Sequence, residues 1–381
     1  MHDSQIDSIR ADLEHVRHPL ATSLSLPPRC YSDEHWLALE TRRIFERAWV
    51  SVGREDRCPR AGDYAVLDLA GTPMMLLRDS SGRLRAWANT CRHRGSRLLS
   101  GAGNCAAVVC PLHAWTYGLD GALLSAARME CNDDFDPARF GLIEFQLACQ
   151  DGFAFVRLER AQRDLADWLG DFSALHRNWS LDELRATRVR EFEVACNWKL
   201  FLEVFNEYYH LPCVHPQSLA HAYFEPDECD AVIGEYTTQF GATDGTAALL
   251  SDHRDQALPP GARLRGRERA GTRYTWVYPN LTFAACFDSL WMYQAYPLGA
   301  ARCNVIQTVA FPRASTMRAD FAARAQAYYR RIDAALDEDL PFLREQQAGL
   351  SSRFARQGRF SALEPSVGNF ACWYAQAMRE E

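Results

Sequence analysis

Lysine is almost missing from this chain: Lys199 is the only one, and all the other basic residues among the 42 Lys and Arg are arginines. Arginine stays protonated at any working pH, so Schiff-base chemistry, a pyridoxal cofactor included, would have to rest on one side chain. A positive balance is missing too, with 42 basic against 49 acidic residues and a net charge of −7. The arginines are interleaved with Asp and Glu, which argues against a nucleic-acid surface. No run of about 18 uninterrupted apolar residues occurs, so no transmembrane helix and no membrane partner are expected. The charged opening MHDSQIDSIRADLEHVRHPL lacks the apolar centre of a secretory signal, and the expected location is cytoplasmic. Internal repeats and low-complexity tracts are absent. No G-x-G-x-x-G follows a strand-like segment, so a nicotinamide site is not expected within the chain.

What is present is globular: 381 residues, 48% hydrophobic and 12% aromatic, enough for two domains of ordinary size. Thirteen cysteines, an odd and scattered set, do not read as the disulfide framework of a small secreted domain; most are expected to be reduced, buried and apolar in character. Residues 33–49 place Trp36, Leu39, Ile44 and Trp49 at helical spacing. From Asp63 the pattern changes to short apolar runs separated by turn chemistry (YAVLDL, AGTP, MMLLRD, SSGR, LRAWANTC), which predicts antiparallel strands, continued at 120–124 and 152–158. A polar, helical linker is expected over 161–180, and a mobile surface loop over 241–271. RVREFEVACNWKLFLEVFNEYYH predicts a strand passing into a helix, RYTWVYPNLTFAACF, LWMYQAYPL and CNVIQTVAF predict strands, and a helix is expected over about 318–351. The fold class expected is therefore α+β. A small antiparallel-β domain over 45–160 follows an N-terminal helical segment, 1–44, that packs on a larger domain of antiparallel sheet and helices over 161–381.

Within the β domain, Cys91-x-His93 and Cys110-x-x-His113 stand 16 residues apart. Sulfur and imidazole donors select iron–sulfur, zinc or copper over calcium or magnesium. Structural zinc loops more often pair two cysteines, whereas each loop here supplies one Cys and one His. That division suits a [2Fe-2S] centre with two Cys on one iron and two His on the other, where imidazole in place of thiolate raises the potential. A zinc-stabilised module is the alternative.

Such a cluster needs only about 100 residues to be buried, so the remaining length asks for another task. In NWKLFLEVFNEYYHLPCVHP, Glu207 and His210 are three apart, which predicts one helix face for both. Pro212 disfavours helix at Leu211, so the chain should turn and bring His215 back toward the same point, with His221 a less favoured substitute. Two histidines and a carboxylate form the facial triad of non-heme iron(II) oxygenases.

Pro111, Trp115 and Tyr117 beside the second pair resemble the shielding residues of a Rieske domain. The chain as a whole, from IFERAWVSVG through CRHRGS and CPLHAWTY to the tail, resembles the large (α) subunit of a Rieske-type non-heme iron oxygenase. Leu112 and Ala114 depart from that family's common Tyr and Gly. The resemblance implies that Cys91, His93, Cys110 and His113 hold the cluster, and that His210, His215 and Asp339 of LDEDLPFLREQQAGLSS hold mononuclear Fe(II), with Asp337 or Glu338 as the alternatives for the carboxylate. It makes Glu207 the acidic bridge between the cluster histidine of one subunit and the iron histidine of its neighbour, against a plain capping role. It further implies NAD(P)H-derived electrons through a separate flavin or iron–sulfur reductase, a head-to-tail homotrimer, and O2 as co-substrate for mono- or dioxygenation. Glu at the bridge together with NWK resembles the carnitine and betaine branch, whose quaternary ammonium substrates suit an aromatic cage. Tyr208, Tyr209, Trp276, Tyr278, Phe283, Phe287, Trp291 and Tyr293 are available for it. Hydroxylation or O-demethylation of an aromatic acid paired with Arg273 is the alternative substrate, and a Rieske electron carrier or redox sensor the alternative class.

Metal counting separates these readings. The purified protein should absorb in the visible and carry about three irons per chain; two irons would mean a carrier, and a colourless zinc protein would remove both.

Overall fold

The computed structural model describes residues 2–129, 132–159, 163–216, 218–219 and 225–380, with backbone alone for residues 2–7. The chain divides into two compact units, one of residues 51–162 and one of residues 1–50 with 163–381.

The 51–162 unit is built from strands and turns. Strands β1 (Val50–Arg54), β2 (Asp63–Leu69), β3 (Thr72–Arg78), β4 (Leu84–Ala88), β5 (Ala102–Asn104), β9 (Glu144–Gln150) and β10 (Phe153–Arg157) form a seven-stranded sheet in the order β1-β10-β9-β4-β3-β2-β5. The short strands β6 (Val108–Val109), β7 (Thr116–Tyr117) and β8 (Leu123–Ser125) form a second sheet. β2 alternates buried and half-buried residues along its whole length, the period-2 signature of a strand with one face on a core. Its hairpin to β3 turns on Ala70 and Gly71, at φ 49° and 88°. Two successive positive angles match the twist of the flanking strands, and alanine tolerates them at a cost glycine avoids.

The other unit holds the α-helices of the described residues: α1 (His2–Leu13), α2 (Arg29–Ser32), α3 (Glu34–Glu40), α4 (Leu165–Leu169), α5 (Phe172–His176), α6 (Trp198–Phe205), α7 (Leu211–Val214), α8 (Arg313–Thr316), α9 (Phe321–Leu350) and α10 (Pro365–Arg379). Its sheet runs β11 (Leu184–Val194), β16 (Arg302–Pro312), β15 (Leu290–Gly299), β14 (Leu281–Cys286), β13 (Gly271–Val277), β12 (Tyr236–Ala242), antiparallel at every pairing. The central strands β14 and β15 are buried on both faces, all of β14 and the first eight residues of β15, because both sides of the sheet are covered. On one face Phe172 of α5 packs on Phe283 and His176 bonds to Thr275. On the other Phe205 of α6 packs on Tyr274 and Trp291, while Phe370 of α10 stacks on Trp276 at 4.0 Å. Among the described residues no helix is long and apolar enough to cross a membrane.

Several expectations need correction. The predicted linker over 161–180 folds into α4 and α5, with Leu165, Leu169 and Phe172 buried. The predicted mobile loop over 241–271 is pinned: Ala248, Leu249, Leu258 and Leu264 are buried, and Leu258 N–H donates to Tyr328 Oη at 2.8 Å. Its polar composition conceals these few apolar anchors. α10 was not foreseen at all, although Pro365 opens it at a position where a missing N–H costs nothing.

Two buried polar ties set how α6 lies. Asn197, its N-cap, accepts from Lys199 N–H and donates its own backbone N–H to Gln347 Oε1 of α9 at 2.7 Å. Two residues on, Lys199 and Glu40 of α3, both fully buried, pair at 2.5 Å. Glu40 also accepts from Trp198 Nε1 at 2.9 Å and from Tyr374 Oη. Replacing Lys199 with Met leaves that carboxylate buried without its counter-charge, and should cost about 3–5 kcal/mol. Denaturant unfolding checks it: the midpoint should fall well below wild type, and part of the loss should return when Glu40→Gln is added.

Candidate metal centres

In the 51–162 unit two loops repeat one backbone design. Cys91 N–H donates to Ser96 C=O and Gly95 N–H to Cys91 C=O, at 2.8 and 3.0 Å; Cys110 N–H donates to Trp115 C=O and Ala114 N–H to Cys110 C=O at the same two distances. The flanking bridges Thr90–Arg97 and Val109–Thr116 close six-residue loops in both cases. The fifth residue from the start of each stretch is left-handed, Gly95 at φ 77° and Ala114 at φ 57°. That geometry accounts for the family's usual glycine at position 114.

The loops bring the four predicted ligands together in two layers. Cys91 and Cys110 are buried, 3% and 2% exposed, among Trp87, Leu98, Trp115 and Tyr117, whereas His93 is half-buried and His113 exposed. The two imidazoles meet edge to face at 4.8 Å between centroids, and Trp115 stacks on His93 at 4.9 Å. Tyr117 Oη accepts from Arg92 N–H and lies 3.3 Å from Cys91 Sγ. Burial pushes the Cys110 thiol up, but the N–H groups of Leu112 and His113, with Cys91 and Ser96, outweigh it and hold the thiol below its ordinary value. Burial, with His113 and Arg94 nearby, holds His93 below its ordinary value, and its buried Nδ1 has no hydrogen-bond partner. Two buried sulfurs, that of Cys110 held toward thiolate, beneath two imidazoles, one with an orphaned ring nitrogen, is a donor set that fits a [2Fe-2S] cluster.

In the helical unit, one ligand atom each from His210, His215 and Asp339 lie within 4.8 Å of one another, the one such group of three among the described residues. His215 Nε2 is 2.9 Å and His210 Nε2 3.7 Å from Asp339 Oδ1. That oxygen is buried and faces only the two imidazole nitrogens, again a donor that fits a metal. Asp337, the alternative ligand, is exposed, and His221 lies outside the described residues.

The route to this geometry differs from expectation. Glu207 and His210 do not share a helix face, because α6 ends at Phe205, where buried Asn206 bonds to Leu202 C=O and to Thr282 Oγ1. Pro212 does not break the helix at Leu211; it sits in the first turn of α7, where proline is tolerated, and α7 carries the chain round to His215. Glu207 nonetheless reaches His210, accepting at Oε1 from Nδ1. Its Oε2 accepts from the backbone N–H groups of Tyr209 and His210 in the turn before α7, which itself has no side-chain cap bond, so Glu207 does not cap a helix.

Glu338, expected as an alternative ligand, makes a different contact. Its Oε2 lies 2.5 Å from His215 Nδ1 and 2.5 Å from Ser218 Oγ. Each histidine thus has a carboxylate at Nδ1, which turns Nε2 toward Asp339. Burial lowers the His215 pKa, but Asp339 and Glu338 together raise it above the ordinary value.

A pocket opens beside the triad, lined by Phe201, Phe205, Tyr208, Tyr274, Trp291, Tyr293 and Arg331 among others. Of the eight aromatics available for a cage, Tyr208, Trp291 and Tyr293 line it. Trp276 and Tyr278 pack on Phe370 and Trp373 beneath α10, Phe283 faces α5, Phe287 is not in the lining, and Tyr209 is 58% exposed. Arg273 points away from this pocket. It neighbours Tyr274 on β13 and so takes the opposite sheet face, over Trp179 and against Asp230. Tyr274 shares the Trp276 face by period 2, and Phe201 and Phe205 are four apart on α6, so all three were within reach of the pattern.

Residues 176–380 match the family of the ring hydroxylating alpha subunit (catalytic domain), and residues 48–140 match the Rieske [2Fe-2S] domain. The chain is 27% identical to the chloroplastic choline monooxygenase of Atriplex hortensis over 387 residues, covering 99% of this chain and 83% of the relative. It is 28% identical to the glycine betaine monooxygenase oxygenase subunit of Chromohalobacter salexigens, covering 93% and 86%. Among solved structures, the quaternary ammonium Rieske monooxygenase CntA superposes with a TM-score of 0.81 at 22% identity (96% of this chain, 98% of that one). Naphthalene 1,2-dioxygenase from Rhodococcus sp. does so with 0.82 at 20% (99% and 98%), so the likeness extends to the fold of both.

Glu338→Gln weakens the hold on His215 and should reduce iron affinity about 10–100-fold. Competition with a ferrous chelator measures it: the mononuclear iron should leave faster than in wild type while the visible absorbance of the cluster stays.

Proposed function

Because the chain belongs to the ring-hydroxylating α-subunit family and carries a Rieske domain, we propose that it is the oxygenase component of a system that oxidises a small quaternary ammonium compound, by hydroxylation or oxidative N-demethylation. The observation that carries this reading is the aromatic pocket beside the His210, His215 and Asp339 triad. The relatives named for choline and glycine betaine support it. Faces of Phe205, Tyr208, Tyr274 and Tyr293 suit a trimethylammonium group, which they attract through ring quadrupoles without hydrogen bonds.

When bound, the cluster at Cys91, His93, Cys110 and His113 supplies single electrons, and iron at His210, His215 and Asp339 supplies dioxygen activation. The protein's own residues position and insulate. Glu207 and Glu338 fix the ring orientation of the two histidines from behind, leaving Nε2 of each toward the pocket. Phe201, Leu336 and Leu343 keep the lining apolar and limit water beside the reacting C–H bond. Hydroxylation of an N-methyl group gives a cationic carbinol that loses its hydroxyl proton and releases formaldehyde and the tertiary amine; hydroxylation elsewhere gives a stable alcohol. In the proposed assembly, a head-to-tail trimer, Glu207 accepts from the cluster histidine of the neighbouring subunit as well as from His210. Electrons come from a separate NAD(P)H-dependent reductase.

Oxygen uptake with a surrogate reductase, across quaternary amines and aromatic acids, tests the substrate class. Quaternary amines should stimulate uptake; stimulation by aromatic acids alone would overturn the reading. For the bridge, Glu207→Gln should keep cluster absorbance and lose turnover by about 10–100-fold. Undiminished turnover would refute it.

A further inference from the structure

Tyr208 owes its place in the pocket wall to a residue outside that wall. Gly241 stands on β12, two residues beyond Gln239, which lies directly opposite Tyr274 of β13. By period 2, Gly241 therefore faces the same side of the sheet as Tyr274. A Cβ placed on Gly241 would overlap Tyr208 Oη, while the ring's Cζ and Cε1 would lie at 3.3 and 3.7 Å. The hydroxyl end of Tyr208 thus occupies the space that any other side chain at position 241 would take.

Backbone conformation does not account for the glycine. Gly241 is buried within β12, is paired with Thr272, and has no positive φ, so alanine could adopt its backbone. What excludes alanine is Tyr208. That ring is 8% exposed and meets Tyr274 edge to face at 5.7 Å, and the residue's N–H donates to Leu363 C=O at 3.3 Å. Held on those sides, the ring can yield to an added methyl group toward the pocket that it lines. Gly241 is not in the lining, so its influence on the pocket runs through Tyr208.

We propose that Gly241 is a specificity-determining residue. By seating the hydroxyl end of Tyr208 against the sheet, it sets the width of the aromatic pocket, and with it the largest group that can approach His210, His215 and Asp339. It is a positioning residue, and its signature is selection by size, with no effect on iron or cluster content.

Binding titration of the iron-loaded protein under anaerobic conditions tests this with two series graded in size. One is tetramethyl-, tetraethyl- and tetrapropylammonium, which rests on the quaternary ammonium reading; the other is benzoate, 4-methylbenzoate and 4-tert-butylbenzoate, which does not. Gly241→Ala should hold the smallest bound member within about twofold and weaken the largest that wild type binds by about 10–100-fold. In a Tyr208→Phe background the same substitution should move no probe by more than about twofold, because the atom it strikes is gone. Equal weakening of every size overturns the proposal, and so does a size-selective loss that persists with Phe at 208. If only the benzoates bind, they decide the role of Gly241, and the quaternary ammonium reading falls alone. A crystal structure of Gly241→Ala decides without any ligand: the Tyr208 ring should shift into the pocket, and a ring left in place overturns the proposal. Failure of Gly241→Ala to fold overturns it too, since the ring would then have no freedom to yield.

Discussion

The hydrogen bond from Asn197 N–H to Gln347 Oε1 joins the two helices on which the second metal centre depends. His210 and His215 hang from the chain that leaves the end of α6, whereas Asp339 belongs to α9, more than a hundred residues later. Their ligand atoms come within 4.8 Å only if the helices cross at one place. Gln347 stands two turns beyond Asp339, bonds to the N-cap of α6, and donates from Nε2 to Tyr31 C=O at 3.0 Å. It is 5% exposed, so losing this network would leave buried polar groups without partners, and the register is costly to slip.

The same logic, local polar bonds fixing soft donors, appears in a different material in the 51–162 unit. There the donors sit on loops rather than helices, and backbone N–H groups do what carboxylates do beside His210 and His215. Amide hydrogens favour thiolate at Cys110, and carboxylates favour the orientation of imidazole. The consequence for charge is opposite. The loop site gathers positive dipoles around sulfur, while the helix site gathers three acidic side chains, Glu207, Glu338 and Asp339, around two rings.

How much of this could be read in the sequence follows from how local each signal is. The loop centre was legible because all four donors lie within 23 residues and their spacing encodes the turn. The antiparallel strands were legible from alternation and turn chemistry. At the helix centre His210 and His215 were legible, but Asp339 lies in an acidic run that composition cannot separate from a solvated helix face, and it came from family resemblance. Glu338 and Arg331 were not legible, because their meaning lies in what α9 faces, and a helix of 30 residues presents different neighbours along its length. The aromatic face was half legible: period 2 assigns Trp291 and Tyr293 to one side of β15, but not which helix covers which end of that side. The helix expected to hold Glu207 and His210 failed through Asn206, whose cap depends on Thr282, 76 residues away.

The two cluster loops share a backbone but differ by one residue in the distance from cysteine to histidine, and that single step breaks their equivalence. His93 lies flat against Trp115, while His113 stands open to solvent. The scaffold is nearly twofold, yet its surface has a sheltered door and an open one. Within this unit, a partner approaching from solution meets His113 first, and reaches the sheltered ring only along its uncovered edge.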